Sequence, residues 1–428
     1  MEQSEVTPTV FKTILGPLLP LLDAQCAKLK GDATRYTLSF APFAINLVFA
    51  VLSTIKSISL LVTEINTSPA ARELALIKAS NSMYSEAFVR YRAVIFRSLF
   101  HGLLEQLHFL GIPELQLLGR LVCVDGSLIP AIKTMSWATY KRSANALKIH
   151  VAFELNRMIP VQIISTDANT AERKILAQLL EAGVTYIADR GYLSFKLLQQ
   201  IIAKKAFFIL RMKSNWKYVM VQPLAFSVPS SWQAYLGEVS DQKIRFCSAE
   251  GVYRLVCFTA LGEVYFILTN RFDLKTHEVI LLYAYRWQIE LFFRCIKRTF
   301  KAIHLWSHEQ NGIESQYYLY LIVYLLLLSF KQQCPPQQQA TCQSTPPDAS
   351  THTCIEVATS PSRTPPACGI VTLLGKRLHR FWKISLHWLT RVKNLLLAPF
   401  DRETRAGLDH KPGQNLGRNK DSPSAAVE

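Results

Sequence analysis

Four side chains suited to binding a phosphate backbone recur between residues 283 and 297. At about 100° per residue, a helix would place them in one sector, apart from an apolar stripe that would pack against a core. They are Tyr283, Arg286, Glu290 and Lys297. The Glu290 carboxylate could ligate a divalent cation, and the cations on its own face could neutralise phosphate oxygens around it. The alternative is a solvated helix face with incidental charges, so other acidic residues are needed to decide between the two interpretations.

Two aspartates directly follow short apolar runs that are typical of buried strands. Asp125 follows Leu-Val-Cys-Val, and Asp189 follows Tyr-Ile-Ala. A charge at the end of a buried strand is costly unless a metal ion or hydrogen bonds compensate it, although either aspartate alone could be a turn or capping residue. If the strands are neighbours and Glu290 lies on a covering helix, the three carboxylates form an oxygen-ligand site for two Mg²⁺ or Mn²⁺ ions. Such a site suits phosphodiester chemistry, because one ion prepares the attacking hydroxyl and the other stabilises the leaving oxygen.

The elements that would position these residues predict an α/β fold. Residues 8–110 show helical spacing of apolar residues, with breaks near 67–69 and 80–82. From residue 121 the pattern changes to two hairpin strands and then alternating helices and strands, which predicts a mixed sheet flanked by helices. Residues 212–270 contain several short strands and predict a β-rich insertion before a helix at 279–303.

Charge favours a polyanionic partner. The chain of 428 residues has a net charge of +17, and residues 116–330 carry +10 of it (25 basic minus 15 acidic residues). A basic excess of this kind indicates binding to nucleic acid or to an acidic membrane surface.

Cysteine usage and hydropathy predict a cytoplasmic protein without integral membrane association. The 9 cysteines include no Cys-x-x-Cys pair, which favours a reducing compartment. The first residues, Met-Glu-Gln-Ser-Glu, do not resemble a signal peptide. The longest apolar run, Tyr317 to Phe330, has 14 residues and is more typical of a buried helix than of a membrane span.

Three motifs together resemble the DDE transposases of bacterial insertion sequences. They are Asp-Gly-Ser at 125–127, Asp-Arg-Gly-Tyr at 189–192, and Tyr-(2)-Arg-(3)-Glu-(6)-Lys at 283–297. The last spacing is the hallmark of the fourth insertion-sequence family, and the resemblance covers about residues 80–330. It implies a ribonuclease-H-like fold with a β-rich insertion domain. It also implies Mg²⁺-dependent nicking at the ends of the element, followed by attack of the freed 3′-hydroxyl on target DNA.

The resemblance also implies roles for individual residues and partners. By position, the catalytic metal ligands would be Asp125, Asp189 and Glu290. The residues expected to bind DNA are Tyr283, Arg286, Lys297, Arg190 and Lys148, with His150 and Arg294 as further candidates. A buried histidine with a purely structural role is the alternative for His150, which alternates with apolar neighbours. The expected partners are the terminal inverted repeats and the target DNA, bound by a homodimer at the bacterial nucleoid.

Five segments are predicted along the chain. A helical N-terminal domain (1–115), expected to bind DNA ends, precedes the catalytic domain (116–330). A disordered linker rich in Pro, Gln and Thr (331–368) then leads to a basic amphipathic helix (369–398) and a disordered tail (399–428). Three alternatives remain open: a decayed transposase that binds DNA without cutting, a metal-dependent nuclease without strand transfer, and a peripheral membrane protein that uses the basic helix.

Overall fold

The computed structural model describes residues 8–132, 135–141, 144–232, 236–247, 249–260 and 262–333. The basic helix and the tail predicted for the C-terminal part of the chain lie outside the described residues, as does nearly all of the linker.

The N-terminal part consists of short helices, as the apolar spacing predicted. Its elements are α1 (Pro8–Leu15), α2 (Leu19–Lys28), α3 (Asp32–Arg35), α4 (Phe40–Leu52), α5 (Ile58–Thr67), α6 (Pro69–Glu73), α7 (Asn81–Arg90), α8 (Ala93–Gln106) and α9 (Pro113–Gln116). Two predicted breaks coincide with serine caps or helix ends, since the Ser80 hydroxyl accepts a hydrogen bond from the Met83 amide at the start of α7 and α5 ends at Thr67. Capping by Ser80 accounts for the second boundary, and Pro69 at the start of α6 accounts for the first.

One large mixed sheet follows the N-terminal helices. Its strands are β1 (Arg120–Ala131), β2 (Thr139–Lys141), β3 (Ala144–Glu154), β4 (Ile159–Asp167), β5 (Val184–Ala188), β6 (Phe207–Arg211), β7 (Tyr218–Pro223), β8 (Leu236–Phe246), β9 (Ala249–Ala260) and β10 (Glu263–Thr269). The helices α10 (Glu172–Gln178) and α11 (Phe195–Ala203) lie between β4 and β6 in the chain. The order β4-β3-β1-β5-β6 has antiparallel pairing up to β1 and parallel pairing from β1 to β6. The predicted α/β class, a ribonuclease-H-like mixed sheet flanked by helices, is confirmed.

The β-rich insertion extends this same sheet. Strand β10 pairs antiparallel with β6, and β9, β8 and β7 follow outward in that order. A buried ion pair joins β9 to β8, because the Arg254 guanidinium donates to both carboxylate oxygens of Asp241. The same guanidinium donates to the carbonyl oxygens of Arg271 and Leu274, in the segment that leads into the next helix. This network couples the insertion strands to the helix that carries the candidate site.

Replacing Arg254 with methionine is expected to lower the free energy of unfolding by about 3–5 kcal/mol, since Asp241 would remain buried without its counter-charge. Urea denaturation measures the difference. The matched control is the double variant Arg254→Met/Asp241→Leu, which removes both charges and should recover part of the loss. A single variant as stable as the native chain would show that the pair does not hold the insertion in place.

The central helix α14 (Gln310–Gln333) connects the N-terminal helices to the sheet. Its Tyr318 ring lies 5.9 Å from that of Phe100 in α8, and its Tyr324 ring lies 5.1 Å from that of Phe292. By length and hydropathy it is the one helix of the described residues that could cross a membrane, but 83% of its apolar window is buried inside the protein. The apolar run predicted as a buried helix is thus the greater part of a core helix of this fold.

Candidate active site

The two aspartates lie side by side on neighbouring parallel strands. The pairing of β1 with β5 runs from Arg120 opposite Val184 to Cys123 opposite Ile187, so two residues further along Asp125 comes opposite Asp189. Asp189 directly follows the end of β5, as the sequence predicted. The prediction that Asp125 ends its strand is wrong, because β1 continues to Ala131 through pairing with β3 after β5 has stopped.

The helix above the aspartates is divided into three parts, which corrects the prediction of a single helix at 279–303. Helix α12 (Thr276–Tyr285) and helix α13 (Trp287–Arg294) meet at Arg286, and a π-helical turn (Cys295–Thr299) follows. Tighter i to i−3 hydrogen bonds surround the junction, from the Arg286 amide to Tyr283 and from the Ile289 amide to Arg286. The last turn is wider, since the Phe300 amide donates to the Cys295 carbonyl five residues back.

Three of the four late-motif residues contact one another or an aspartate. The Tyr283 hydroxyl donates to Asp189 Oδ1 at 3.3 Å, so α12 touches the strand end. The Arg286 guanidinium donates from Nη2 to Glu290 Oε1 at 2.7 Å, and these side chains are 15% and 31% exposed. Glu290 is therefore paired with its own helix neighbour, and the Nε of Arg286 has no hydrogen-bond partner within the described residues.

Lys297 contacts β1 beyond the first aspartate. Its ammonium donates to the carbonyl oxygen of Leu128 at 2.8 Å, three residues beyond Asp125. Burial lowers the pKa of Lys297, while the negative charge of Asp125 acts in the opposite direction. Lys297 is thus anchored to the strand that carries the first aspartate.

The remaining predicted residues differ in their surroundings. Arg190 is exposed beside Asp189, and Arg294 is half-buried at the end of α13. Lys148 on β3 forms an ion pair at 3.3 Å with Glu172, in the first turn of α10. His150 is buried, and its Nε2 lies 3.0 Å from the Thr166 hydroxyl.

The electrostatic surroundings of the Asp125 carboxylate favour the binding of a cation. Burial raises its pKa to about 6, because desolvation disfavours the charged form; Glu172 and Glu290 add to the rise, and the Gly126 amide and Arg286 oppose it. Hard oxygen donors beside uncompensated negative charge are what Mg²⁺ and Mn²⁺ prefer, so the chemistry of this donor set fits the predicted ions. In the described part of the chain, no three acidic, histidine or cysteine side chains are close enough to enclose an ion. Because Glu290 already pairs with Arg286, Asp125 and Asp189 are the two carboxylates of the donor set that are available to a cation.

Sequence reasoning missed two residues next to the aspartates. Glu172 lies close to the backbone of both Gly126 and Gly191, and Tyr192 is buried next to them. Glu172 stands in an ordinary helical segment, Ala-Glu-Arg-Lys, with no motif around it. The only signal in the sequence is a glycine shortly after each aspartate, and its meaning depends on which carboxylate approaches it.

The sheet order is consistent with a ribonuclease-H-like fold. Residues 117–326 match the family model described as the transposase DDE domain. One curated relative is "Putative transposase y4zB" of Sinorhizobium fredii, 30% identical over 213 residues, which are 48% of this chain and 59% of that protein. Another is "Probable transposase for insertion sequence element IS5377" of Geobacillus stearothermophilus, 25% identical over 212 residues, 48% of this chain and 55% of that protein.

The match thus spans somewhat more than half the length of each of these relatives. The family-model match at residues 117–326 includes both aspartates and the whole late motif, from Tyr283 to Lys297. Membership of the fourth insertion-sequence family, which the late spacing indicates, stays a prediction.

Proposed function

We propose that this protein is a DNA transposase that nicks the ends of an insertion sequence and joins the freed 3′-hydroxyl ends to target DNA. The observation that carries the proposal is the register of β1 against β5, which sets Asp125 beside Asp189 beneath the helix pair that bears Arg286 and Glu290. The family relationship of residues 117–326 supports it independently.

Asp125, Asp189 and Glu290 would hold a pair of Mg²⁺ or Mn²⁺ ions. When bound, the ions supply charge stabilisation to the attacking and leaving oxygens of the phosphodiester. The Tyr283 hydroxyl orients Asp189 through its hydrogen bond. Arg286 and Lys297 would hold phosphate oxygens near the cleaved bond, and the exposed Arg190 could reach the same strand.

Each of the two proposed steps exchanges one P–O bond for another. In the first, water attacks phosphorus, the bond from phosphorus to the 3′-oxygen breaks, and a 3′-hydroxyl is released. In the second, that hydroxyl attacks a phosphodiester of the target, and the displaced target oxygen leaves with the proton. One P–O bond forms for each that breaks, so no energy-rich co-substrate is required.

The proposed partners are the terminal inverted repeats and the target DNA. A homodimer would bring two ends together, and the basic excess of the chain, +17 overall, suits its binding to DNA at the nucleoid of a bacterial cytoplasm. The helical domain at 1–115 is proposed to bind the DNA ends.

Labelled DNA that carries the sequences flanking the gene tests the proposal. With Mg²⁺ we expect nicks at the element ends and, on adding a target plasmid, joined products; without divalent ions we expect binding alone. Cleavage without joining would favour the metal-dependent nuclease, and binding without cleavage in Mg²⁺ or Mn²⁺ would favour the decayed DNA-binding protein. Binding to anionic vesicles with no affinity for DNA would favour the peripheral membrane protein.

Truncation after Gln333, where α14 ends, is expected to retain cleavage and to weaken DNA binding, most at low salt. Residues 334–428 carry part of the net positive charge, including the predicted basic helix, and non-specific contacts with phosphates weaken as salt rises. Filter binding across a salt series measures the effect. Equal affinity of the two forms at every salt concentration would show that the tail does not contribute to DNA binding.

A further inference from the structure

One residue of the Asp-Arg-Gly-Tyr motif has no role in the proposed reaction. Tyr192 follows Asp189 by three residues, and its amide donates to the Asp189 carbonyl at 3.1 Å, which closes a turn directly after β5. Its ring packs in the apolar core that also contains Val122 and Val124 of β1, and 1% of the residue is exposed. Tyr192 thus lies on the face of the sheet opposite Tyr283, whose ring belongs to the other core.

The buried hydroxyl of Tyr192 has no hydrogen-bond partner within the described ranges. Such a hydroxyl destabilises the folded state, because it gives up its hydrogen bonds to water and gains none in return. A phenylalanine would fill the same apolar space without this cost. The hydroxyl of Tyr186, on β5 itself, is different, since it donates to the Leu179 carbonyl and accepts from the Glu181 amide. Packing alone therefore does not explain the hydroxyl of Tyr192.

The turn that carries this tyrosine lies beside the strand segment that carries Asp125. Strand β5 ends at Ala188, one residue before the level of Asp125 on β1, so the turn and not a paired strand follows there. Glu172 approaches both segments. A Cβ atom on Gly191, within the turn, would lie 2.9 Å from Glu172 Oε2, and one on Gly126 would lie 3.4 Å from Glu172 Oε1. The residue before the tyrosine and the residue after Asp125 thus approach the same carboxylate.

The charged groups of the candidate active site act on the same hydroxyl. Burial raises the pKa of Tyr192 well above its usual value, and among the charges Asp125 has the largest effect in the same direction. Glu172 and Asp189 add to the rise, and Arg286 opposes it. The hydroxyl consequently stays protonated, so it can donate a hydrogen bond and is not available as a base.

We propose that Tyr192 is a positioning residue of the candidate active site, whose hydroxyl donates a hydrogen bond to an oxygen atom that the bound cation holds beside Asp125. That oxygen belongs to the Asp125 carboxylate or to a water molecule on the ion, and a neutral donor suits both. The inference rests on the proposed function, in which Asp125 binds a divalent cation. Tyr192 would serve Asp125 from one face of the sheet, as Tyr283 serves Asp189 from the other.

Mn²⁺ binding to the full chain without DNA, followed by electron paramagnetic resonance, and urea denaturation in EDTA together test this role. Tyr192→Phe should weaken Mn²⁺ binding about tenfold, because hydrogen bonds to the ligands of a metal orient them and tune its affinity. The urea midpoint in EDTA should stay the same or rise, since the fold loses no hydrogen bond.

Tyr186→Phe is the matched control, because the same atom is removed from a tyrosine of the same core. It should lower the urea midpoint, as both hydrogen bonds of that hydroxyl are lost. Its Mn²⁺ affinity should stay within about twofold of the native value, since this hydroxyl is bonded to the backbone and not to a ligand.

Native Mn²⁺ affinity in Tyr192→Phe would overturn the inference. So would a lowered urea midpoint in EDTA, because the hydroxyl would then hold the fold and any loss of affinity would be indirect. Asp125→Asn separates these results from a failure of the proposed function. If Asp125→Asn weakens Mn²⁺ binding and Tyr192→Phe does not, only the role of Tyr192 is wrong. If the native chain does not bind Mn²⁺, or Asp125→Asn binds it as tightly, both are wrong.

Discussion

Replacing Asp125 with asparagine is expected to abolish DNA cleavage and, at the same time, to stabilise the metal-free protein above pH 6. Cleavage should fall by at least about 10³-fold, because a lost ligand removes charge stabilisation from both the attacking and the leaving oxygen. Asp189→Asn and Glu290→Gln should have a similar effect on cleavage. All three variants should keep most of their affinity for DNA, since none of them removes a basic side chain.

The stability effect follows from the raised pKa of Asp125. Its folded pKa is about 6, whereas an unperturbed aspartate titrates near 3.9, so between these values the folded state binds more protons than the unfolded state. The free energy of unfolding therefore falls as pH rises from about 4 to about 6 and stays low above that. Asparagine removes the buried charge, and we expect a gain of about 1–3 kcal/mol at pH 8 and little change at pH 4.

Urea denaturation in EDTA at both pH values measures this, and the exposed Asp23 of α2 provides the matched control as Asp23→Asn. Mg²⁺ should stabilise the native chain at pH 8 and leave the Asp125→Asn variant nearly unchanged, by the linkage between ligand binding and folding. An Asp125→Asn variant that still cuts DNA, or that is less stable than the native chain at pH 8, would contradict the assignment.

Replacing Arg286 with glutamine is expected to have opposite effects on DNA cleavage and on metal binding. Cleavage should fall by about 10²-fold or more, because a charge-assisted contact with phosphate is lost. Mn²⁺ affinity without DNA should instead rise severalfold. The guanidinium that engages Glu290 at 2.7 Å, and whose charge also acts on Asp125 and Asp189, would no longer compete with the ion.

The same competition predicts that DNA and metal bind cooperatively to the native chain. A phosphate that attracts Arg286 would release Glu290, so DNA should raise Mn²⁺ affinity, and Mn²⁺ should raise DNA affinity by the same factor. In Arg286→Gln this coupling should be largely lost. Mn²⁺ titrations with and without DNA, with Arg294→Gln as a control of equal charge, measure it. Weaker Mn²⁺ binding by Arg286→Gln in the absence of DNA would show that the arginine supports the ion site and does not compete with it.

Features that depend on neighbours in sequence were predictable. The alternation of short apolar runs and helical segments identified a mixed α/β sheet flanked by helices, because burial on one face imposes a local period on the sequence. The ribonuclease-H-like fold followed from the resemblance of the three motifs. The spacing of Arg286 and Glu290 predicted that they share one helix face, and they are in contact there because residues four apart meet on a helix. The two aspartates stood out for a similar reason, as charges that follow directly on apolar runs.

Features that depend on partners far along the chain appeared only in the folded structure. Asp125 lies within its strand because β3 continues to pair with β1, and the insertion joins the main sheet because β10 pairs with β6. Lys297 contacts Leu128 from within a π-helical turn, which the periodicity of the sequence did not predict. Glu172 lies next to the two aspartate segments, although its own segment carries no motif. Its position depends on Gly126 and Gly191, which are 65 residues apart in the sequence and come together only when β1 and β5 pair. Sequence patterns report which residues are buried and at what local period, whereas the register between distant strands is decided by the packing of the whole sheet.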